Sequence, residues 1–341
     1  MKASALLKRG LLFCFWGIVV AVAAWSTLIL LFSPVVPPLL RTPIAALSVC
    51  LFFAALPNWY ARPFLRIACA VWIGIVVALW LRLTPSSDRN WMVDVAQAPW
   101  SEVAGDTVTI HNVRNFHYRT ETDFDPVWES RSYNVNDLSN VDIIVSYWAG
   151  KSIAHVMVAF GFAEQKFLAV SIETRKEQGE SYSTVAGFFR NYELVYIAAD
   201  ERDLLGLRTR FRTPPERVYV LRTSMPVEDV RKLFFEYLAE MNKLRAEPAF
   251  YNTLTTNCTT QVLRHVQAFA VSLKYTWKIL LSGYVPELLH ENGSLYPGMS
   301  LDEILDKSLI NERSIAAGDS EEFSKRVREG VPRPAPRKLE K

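Results

Sequence analysis

Leu11 to Phe32, LLFCFWGIVVAVAAWSTLILLF, is a run of 22 residues without a charge. No other feature restricts the fold of this chain as much. At about 1.5 Å rise per residue, a helix of that length crosses a hydrocarbon core of about 30 Å. The run is longer than the apolar part of a signal peptide and lacks its small-residue cleavage site, so it is expected to be retained. Two more runs follow. Ile44–Leu56 is short by itself, and it reaches across if Leu39 and Leu40 join it and Arg41 snorkels to the interface. Ile67–Leu81 is extended backwards by Phe64 and Leu65. Trp59, Tyr60 and Trp80 stand near run ends, where interfacial aromatics belong.

Charge divides the 341-residue chain in the same place. Residues 1–83 hold Lys2, Lys8, Arg9, Arg41, Arg62, Arg66 and Arg82 and no Asp or Glu, so the net +3 of the whole is +7 here and −4 in the remainder. The mildly basic balance is a sum of two different polymers and carries no nucleic-acid signal. Lys2, Lys8 and Arg9 precede the first run, Arg62 and Arg66 lie between the second and third, and the first loop has only Arg41. Three spans then put the amino terminus inside and everything after Arg82 outside. The expected location is a bacterial inner membrane, crossed several times, with a cytoplasmic amino terminus and a periplasmic main domain. If the short second run does not span, the domain falls on the cytoplasmic side instead.

The expected organisation is a membrane anchor over 1–83, a polar linker over 84–105, a domain over 106–318 and a charged, proline-rich disordered tail over 319–341. Strands are predicted for 106–118, 141–149, 153–162, 166–174, 192–200 and 216–223 from their Val, Ile, Tyr and Phe content. The segment TETDFDPVWESRSYNVNDLSN reads as loop. AEQ (163–165) closes a hairpin between 153 and 174. The period then becomes helical: Val230, Leu233, Phe234, Tyr237, Leu238 and Met241 mark one helix, and Val262, Leu263, Val266 and Phe269 another. Residues 272–290 make a third, apolar helical stretch that can touch the membrane. The fold class is α+β, with a mainly antiparallel sheet followed by helices.

Cys258 is the lone cysteine after residue 83, and the other three lie in the apolar runs. Asn257 is a good N-cap, which puts Cys258 at the first helical position. Unpaired N–H groups and the helix dipole favour a thiolate there, and the same groups can hold an oxyanion. The competing reading is a small buried core residue. A thiolate nucleophile wants a base. His265 is two turns along the same helix, roughly 10 Å away, and too far. His290 reads as a surface residue. His111 and His117 are about 20 Å apart along a strand and cannot share a metal. His155 opens the apolar strand IAHVMVAFGF and needs a partner, or it simply caps the preceding turn. If the hairpin turns at 163–165, position 155 faces about 173, so Glu173 can orient His155. Otherwise Glu173 forms a surface pair with Arg175. Tyr251 and Asn257 flank the cysteine and can donate to an oxyanion. The charge-dense runs SIETRKEQGE and AADERDLLGLRTRFR read as solvated faces or ion-pair networks, or as walls of a substrate groove. No phosphate-binding glycine loop, CxxC, HExxH or GxSxG motif occurs, so neither a cofactor nor a metal is indicated.

HNVRNFHYRTETDFDPVWESRSYNVNDL, IAHVMVAFGF, LAVSIETRKEQGESY, YELVYIAADERDLLGLRTRFR and TLTTNCTT together resemble the periplasmic domain of bacterial lipoprotein N-acyltransferases of the Lnb type, over about residues 106–262. That group is similar to the thiol enzymes of the NlpC and lecithin–retinol acyltransferase group. The resemblance implies a papain-like domain of the permuted NlpC type, with a nucleophilic Cys258 on a helix start and His155 on a strand. It also implies transfer of a fatty acyl chain from a phospholipid donor to a lipoprotein acceptor. A cell-envelope cysteine hydrolase and a non-catalytic binding protein on the same fold remain as other classes.

Overall fold

The computed structural model describes residues 2–55, 61–163, 166–269 and 276–337. Trp59 and Tyr60, the central residues of the 163–165 turn, the start of the 272–290 stretch and residues 338–341 lie outside them. The chain forms two compact units. One comprises 1–86, 182–193 and 250–253, and the other comprises the remaining residues.

The first unit is built on three helices, α1 (Lys2–Phe32), α2 (Pro38–Ala55) and α3 (Pro63–Leu81). Their apolar stretches of 23, 18 and 19 residues are long enough to cross a membrane. Helix α2 begins six residues before Ile44, so the short second run gains the length it needed. At about 1.5 Å per residue it spans about 27 Å. The Arg41 guanidinium donates to the Val36 carbonyl at 3.1 Å. Ser48 on α2 joins the bundle, accepting from the Trp72 indole at 2.9 Å and lying 3.5 Å from the Thr27 hydroxyl. Polar ties of this kind hold helices together where no water competes. Ile29, Leu30, Val36, Ala45 and Val76 pack together, and Phe189, from the 182–193 segment, completes that cluster.

The second unit carries a mixed sheet. Its strands are β1 (Trp100–Ala104), β2 (Thr107–Arg114), β5 (Trp128–Asn134), β6 (Asn140–Ala149), β7 (Ile153–Gly161), β8 (Phe167–Arg175), β9 (Glu193–Ala199) and β10 (Arg217–Arg222). The order is β1-β2-β9-β8-β7-β6-β10, with β5 also on β2. The pair β3 (His117–Tyr118) and β4 (Phe124–Asp125) stands apart. The β2–β9 contact is parallel, and the β1–β2, β2–β5, β6–β7, β7–β8 and β6–β10 ladders are antiparallel. Helices α4 (Glu201–Gly206), α5 (Val227–Ala246), α6 (Cys258–Gln267), α7 (Trp277–Leu280), α8 (Val285–Glu291), α9 (Leu301–Ser308), α10 (Asn311–Ala317) and α11 (Phe323–Arg326) complete it. The α+β class therefore holds.

Helix α5 buries the six residues its period marked, Val230, Leu233, Phe234, Tyr237, Leu238 and Met241. Helix α6 differs from expectation. Leu263 and Val266 are buried, but Val262 and Phe269 are not, and Thr259, Thr260, Gln261 and His265 turn inward. The apolar stretch after 276 is two short helices, α7 and α8, joined by a 3-10 turn, rather than one helix. Gly283 explains the break: its N–H meets the Ser152 carbonyl at 3.1 Å, and a Cβ there would lie 1.9 Å from the Lys151 carbonyl oxygen.

Three expected loop regions are structured. The 84–105 linker contains β1 and buries Trp91 and Val95. The segment read as loop before Leu138 contains β5, in which Tyr133 alone is buried, so it leaves no apolar alternation to read. The tail expected to be disordered folds from 319 to 337, burying Phe323, Val327, Arg328 and Val331. The Arg328 guanidinium makes two 2.6 Å bonds to Glu201 and one of 2.7 Å to Asp142, both carboxylates fully buried. Composition registers such a residue as solvated, whereas its ion partners make it a core residue.

Candidate active site

Cys258 begins α6. The Asn257 side-chain carbonyl accepts the Thr260 N–H at 2.9 Å, and the Thr260 hydroxyl accepts the Asn257 N–H at 2.9 Å. This reciprocal cap fixes where the helix starts. The Gln261 N–H bonds to the Asn257 carbonyl. The N–H groups of Cys258 and Thr259 have no acceptor among the described residues, so they are the positive end of the helix available to a ligand.

His155 lies on β7. The β7–β8 register pairs Gly161 with Phe167 and Val158 with Val170, and continuing it sets 155 opposite 173. His155 Nε2 stands 2.6 Å from the Ser171 hydroxyl and 3.1 Å from Glu173 Oε1. The Ser171 hydroxyl donates to Glu173 Oε1 at 2.6 Å. Ring nitrogen Nε2 is thereby turned to the carboxylate. Cys258 Sγ lies 3.8 Å from the Thr259 hydroxyl oxygen, and the His155 ring and the Val156 N–H are near enough to favour its thiolate. The expected Cys258, His155 and Glu173 are thus brought together.

The electrostatics follow from this geometry. Burial disfavours the charged imidazole, but the Glu173 carboxylate and the Cys258 thiolate outweigh it and raise His155 to about 9. Burial also opposes the thiolate, yet His155 and the hydrogen bonds to Val156 and Thr259 hold the thiol below its ordinary value. Glu173 is held well below the carboxylate range: burial pushes it up, and His155, Arg208 and Ser171 pull it further down. Both directions favour a thiolate–imidazolium pair between Cys258 and His155.

Arg208 is a part of this arrangement that sequence reasoning missed. It is 3% exposed, on a single wide turn of π-helix, Leu207–Phe211. It donates to Glu173 Oε1 at 3.0 Å and to the Leu204 carbonyl at 2.9 Å, and its Nε lies 3.7 Å from buried Glu216. Such turns concentrate at functional sites, and nothing in the run AADERDLLGLRTRFR marks one. Of the readings for that run, the ion-pair network holds rather than the solvated face: Glu201, Asp203 and Arg208 are buried, and Asp203 is held by Arg114 at 2.7 and 2.9 Å. Arg175, considered as a surface partner of Glu173, instead donates to the Val95 and Ala96 carbonyls.

Tyr237 was also missed as a site residue. Its hydroxyl is buried with no hydrogen-bond partner among the described residues, in a side chain only 1% exposed. Its ring lies 4.4 Å from His265, which shares a face of α6 with Cys258 two turns earlier. Burial raises the phenol, and the nearby Cys258 thiolate raises it further. The two oxyanion candidates read from the sequence are Asn257 and Tyr251. Asn257 uses its side-chain carbonyl in the cap. Tyr251 belongs to the first unit, with its N–H on the Tyr192 carbonyl at 3.0 Å.

Three of the other histidines have structural partners, and His117 is exposed on β3. His265 Nε2 lies 2.7 Å from the Tyr196 hydroxyl, and burial pushes the imidazole down to about 4. His111 stacks on Trp100 with its Nδ1 2.8 Å from the Ser130 hydroxyl, and half-buried His290 donates to the Met299 carbonyl. Among the described residues no group of three His, Cys, Asp or Glu could hold a metal ion.

Three apolar helices and an α+β domain with a buried Cys–His–Glu arrangement define a membrane protein with a thiol site outside the helices. A family model described as the Lnb N-terminal periplasmic domain matches residues 124–283. This part of the chain is an Lnb-type periplasmic domain, and it contains all the site residues named above. No curated protein and no solved structure matches the chain.

Proposed function

We propose that the protein is an inner-membrane acyltransferase with a papain-like thiol mechanism, its amino terminus cytoplasmic and its site periplasmic. The acyl chain passes from a phospholipid to the amino terminus of a lipoprotein. The observation that carries this reading is the pairing of Cys258, on a capped helix start, with His155, whose far nitrogen faces Glu173. Its setting in an Lnb-type domain on three apolar helices suits substrates that live in lipid.

In the first step the Cys258 thiolate attacks the ester carbonyl carbon of the donor. The oxyanion that forms is met by the Cys258 N–H and the Tyr237 hydroxyl. The ester C–O bond breaks, the His155 imidazolium gives its proton to the departing alkoxide, and a thioester remains. In the second step the acceptor amine attacks the thioester carbonyl. Neutral His155 takes the proton from nitrogen, the C–S bond breaks, and the thiolate returns beside the imidazolium. Glu173 stabilises the imidazolium in both directions, and Arg208 and Ser171 hold Glu173.

The test is mass spectrometry of the amino-terminal peptide of a reporter lipoprotein. The host lacks its usual lipoprotein acyltransferase and expresses this protein or its Cys258→Ala variant. An added acyl chain that requires Cys258 is the expected result. Free fatty acid released with no acylated peptide would replace the transferase with a hydrolase. No acyl chemistry from either chain would sink the reading.

A further inference from the structure

The segment YSTVAGFF, 182–189, is uncharged and belongs to the same compact unit as α1, α2 and α3. Phe189 stacks on Phe32, the last residue of α1, at 6.4 Å. The Phe189 carbonyl accepts the Trp80 indole N–H at 3.2 Å, one residue from the end of α3. The next residue, Arg190, lays its guanidinium 4.2 Å over the Trp80 ring and donates to the Trp80 carbonyl. The segment is therefore fastened where two apolar helices end. That is the level at which a bilayer gives way to water and where Trp and Arg are at home.

Its other side is fastened to residues 251–253. Thr253 donates from its hydroxyl to the Thr184 carbonyl at 2.8 Å and from its N–H to the Gly187 carbonyl at 3.3 Å. A Cβ on Gly187 would come within 2.2 Å of that hydroxyl, so glycine is required for the close approach. With both sides held, Tyr182, Val185 and Phe188 remain 47, 43 and 41% exposed. A single 3-10 turn, Ala186–Phe188, sets Val185 and Phe188 one turn apart, on one side. A rigid, uncharged segment that shows two apolar side chains at a helix end has one natural occupant, the surrounding lipid.

We propose that residues 182–189 form a lipid-contacting lip. Val185 and Phe188 sit among the acyl chains of the leaflet at the carboxyl ends of α1 and α3, with Tyr182 at headgroup level. Its use follows from the acyltransferase reading above and rests on it: the lip draws a donor phospholipid out of the leaflet beside residues 250–253, which run in the chain toward Cys258.

The insertion is tested with the full chain in nanodiscs of phosphatidylcholine and phosphatidylglycerol. A nitroxide is placed at Phe188→Cys, with Cys14, Cys50, Cys69 and Cys258 replaced by alanine. A nitroxide at Ile315→Cys, on exposed α10, is the aqueous reference. The label at 188 is expected to collide with oxygen and to be shielded from a water-soluble nickel chelate. Equal exposure of both labels to nickel overturns the proposal, and so does protection at 188 from both reagents, since protein would then cover it. This readout needs no activity, so it stands or falls apart from the acyltransferase reading. In the otherwise native chain, Val185→Glu with Phe188→Glu should lower transfer from bilayer phospholipid by about tenfold or more and leave iodoacetamide labelling of Cys258 unchanged. Undiminished transfer removes the role in donor uptake.

Discussion

Glu173→Gln is the sharpest probe of the site, because it changes one charge and almost no volume. Glu173 Oε1 collects the Ser171 hydroxyl at 2.6 Å, an Arg208 N–H at 3.0 Å and His155 Nε2 at 3.1 Å. An amide oxygen can still accept from Ser171 and Arg208, so the local fold should survive. What is lost is the negative charge facing the imidazolium. His155 stands at about 9 against an ordinary 6.5, and that difference is worth about 3 kcal/mol at about 1.4 kcal/mol per factor of ten. The Cys258 thiolate supplies part of it, and the Glu173 side chain is 28% exposed to screening water. About half, some 1.5 kcal/mol, is therefore assigned to Glu173. The signs follow directly. The reactive ion pair exists above the lowered pKa of the thiol and below that of His155. Without the carboxylate the upper limit falls from about 9 toward 6.5, and the thiol, facing a less charged ring, rises. The assay is the rate of Cys258 alkylation by iodoacetamide as a function of pH, with the membrane cysteines replaced. The thiolate formed at neutral pH should drop about tenfold, and the rise in rate should move to higher pH. Superimposable profiles for the native protein and the Glu173→Gln variant would refute the argument that Glu173 sustains the pair.

Tyr237→Phe removes a buried hydroxyl that has no partner among the described residues, so thermal unfolding should be unchanged or shifted upward. If the hydroxyl meets the oxyanion, acyl transfer should nevertheless fall by about 10²-fold, at an unaltered alkylation rate. Equal transfer by both proteins would remove it from the mechanism. Arg328→Met leaves Glu201 and Asp142 buried without that cation, and a loss of about 3–5 kcal/mol is expected on thermal or denaturant unfolding. A loss below about 1 kcal/mol, the value of an exposed pair, would mean that the 319–337 segment is not clamped to the domain.

Local pattern carried much of this protein's structure. Uncharged runs read as three apolar helices because a span is coded by consecutive residues. The buried face of α5 was legible, residue for residue, from a 3.6-residue period. Counting back from a tight turn put residue 173 opposite 155, because register in a hairpin is arithmetic along the chain. Asn257 marked the start of α6 because a cap acts on the next three residues.

What stayed hidden depends on residues far apart in the chain. Whether a charged side chain is solvated or buried is decided by its ion partner, and Arg328 finds Glu201 at a separation of 127 residues. The tail therefore read as disordered, and the Glu201–Arg210 run as either a solvated face or an ion-pair network. Strands β1 and β5 gain their order from β2 rather than from any apolar alternation of their own. The inward turn of α6, the π-turn that carries Arg208 and the burial of the Tyr237 hydroxyl are products of packing. The sequence alone determined the membrane helices, the strand-then-helix order and the Cys258, His155 and Glu173 set, each through short-range periodicity or register. Tertiary structure alone decided which of the remaining polar groups surround that set, because burial and charge pairing are properties of the assembled core.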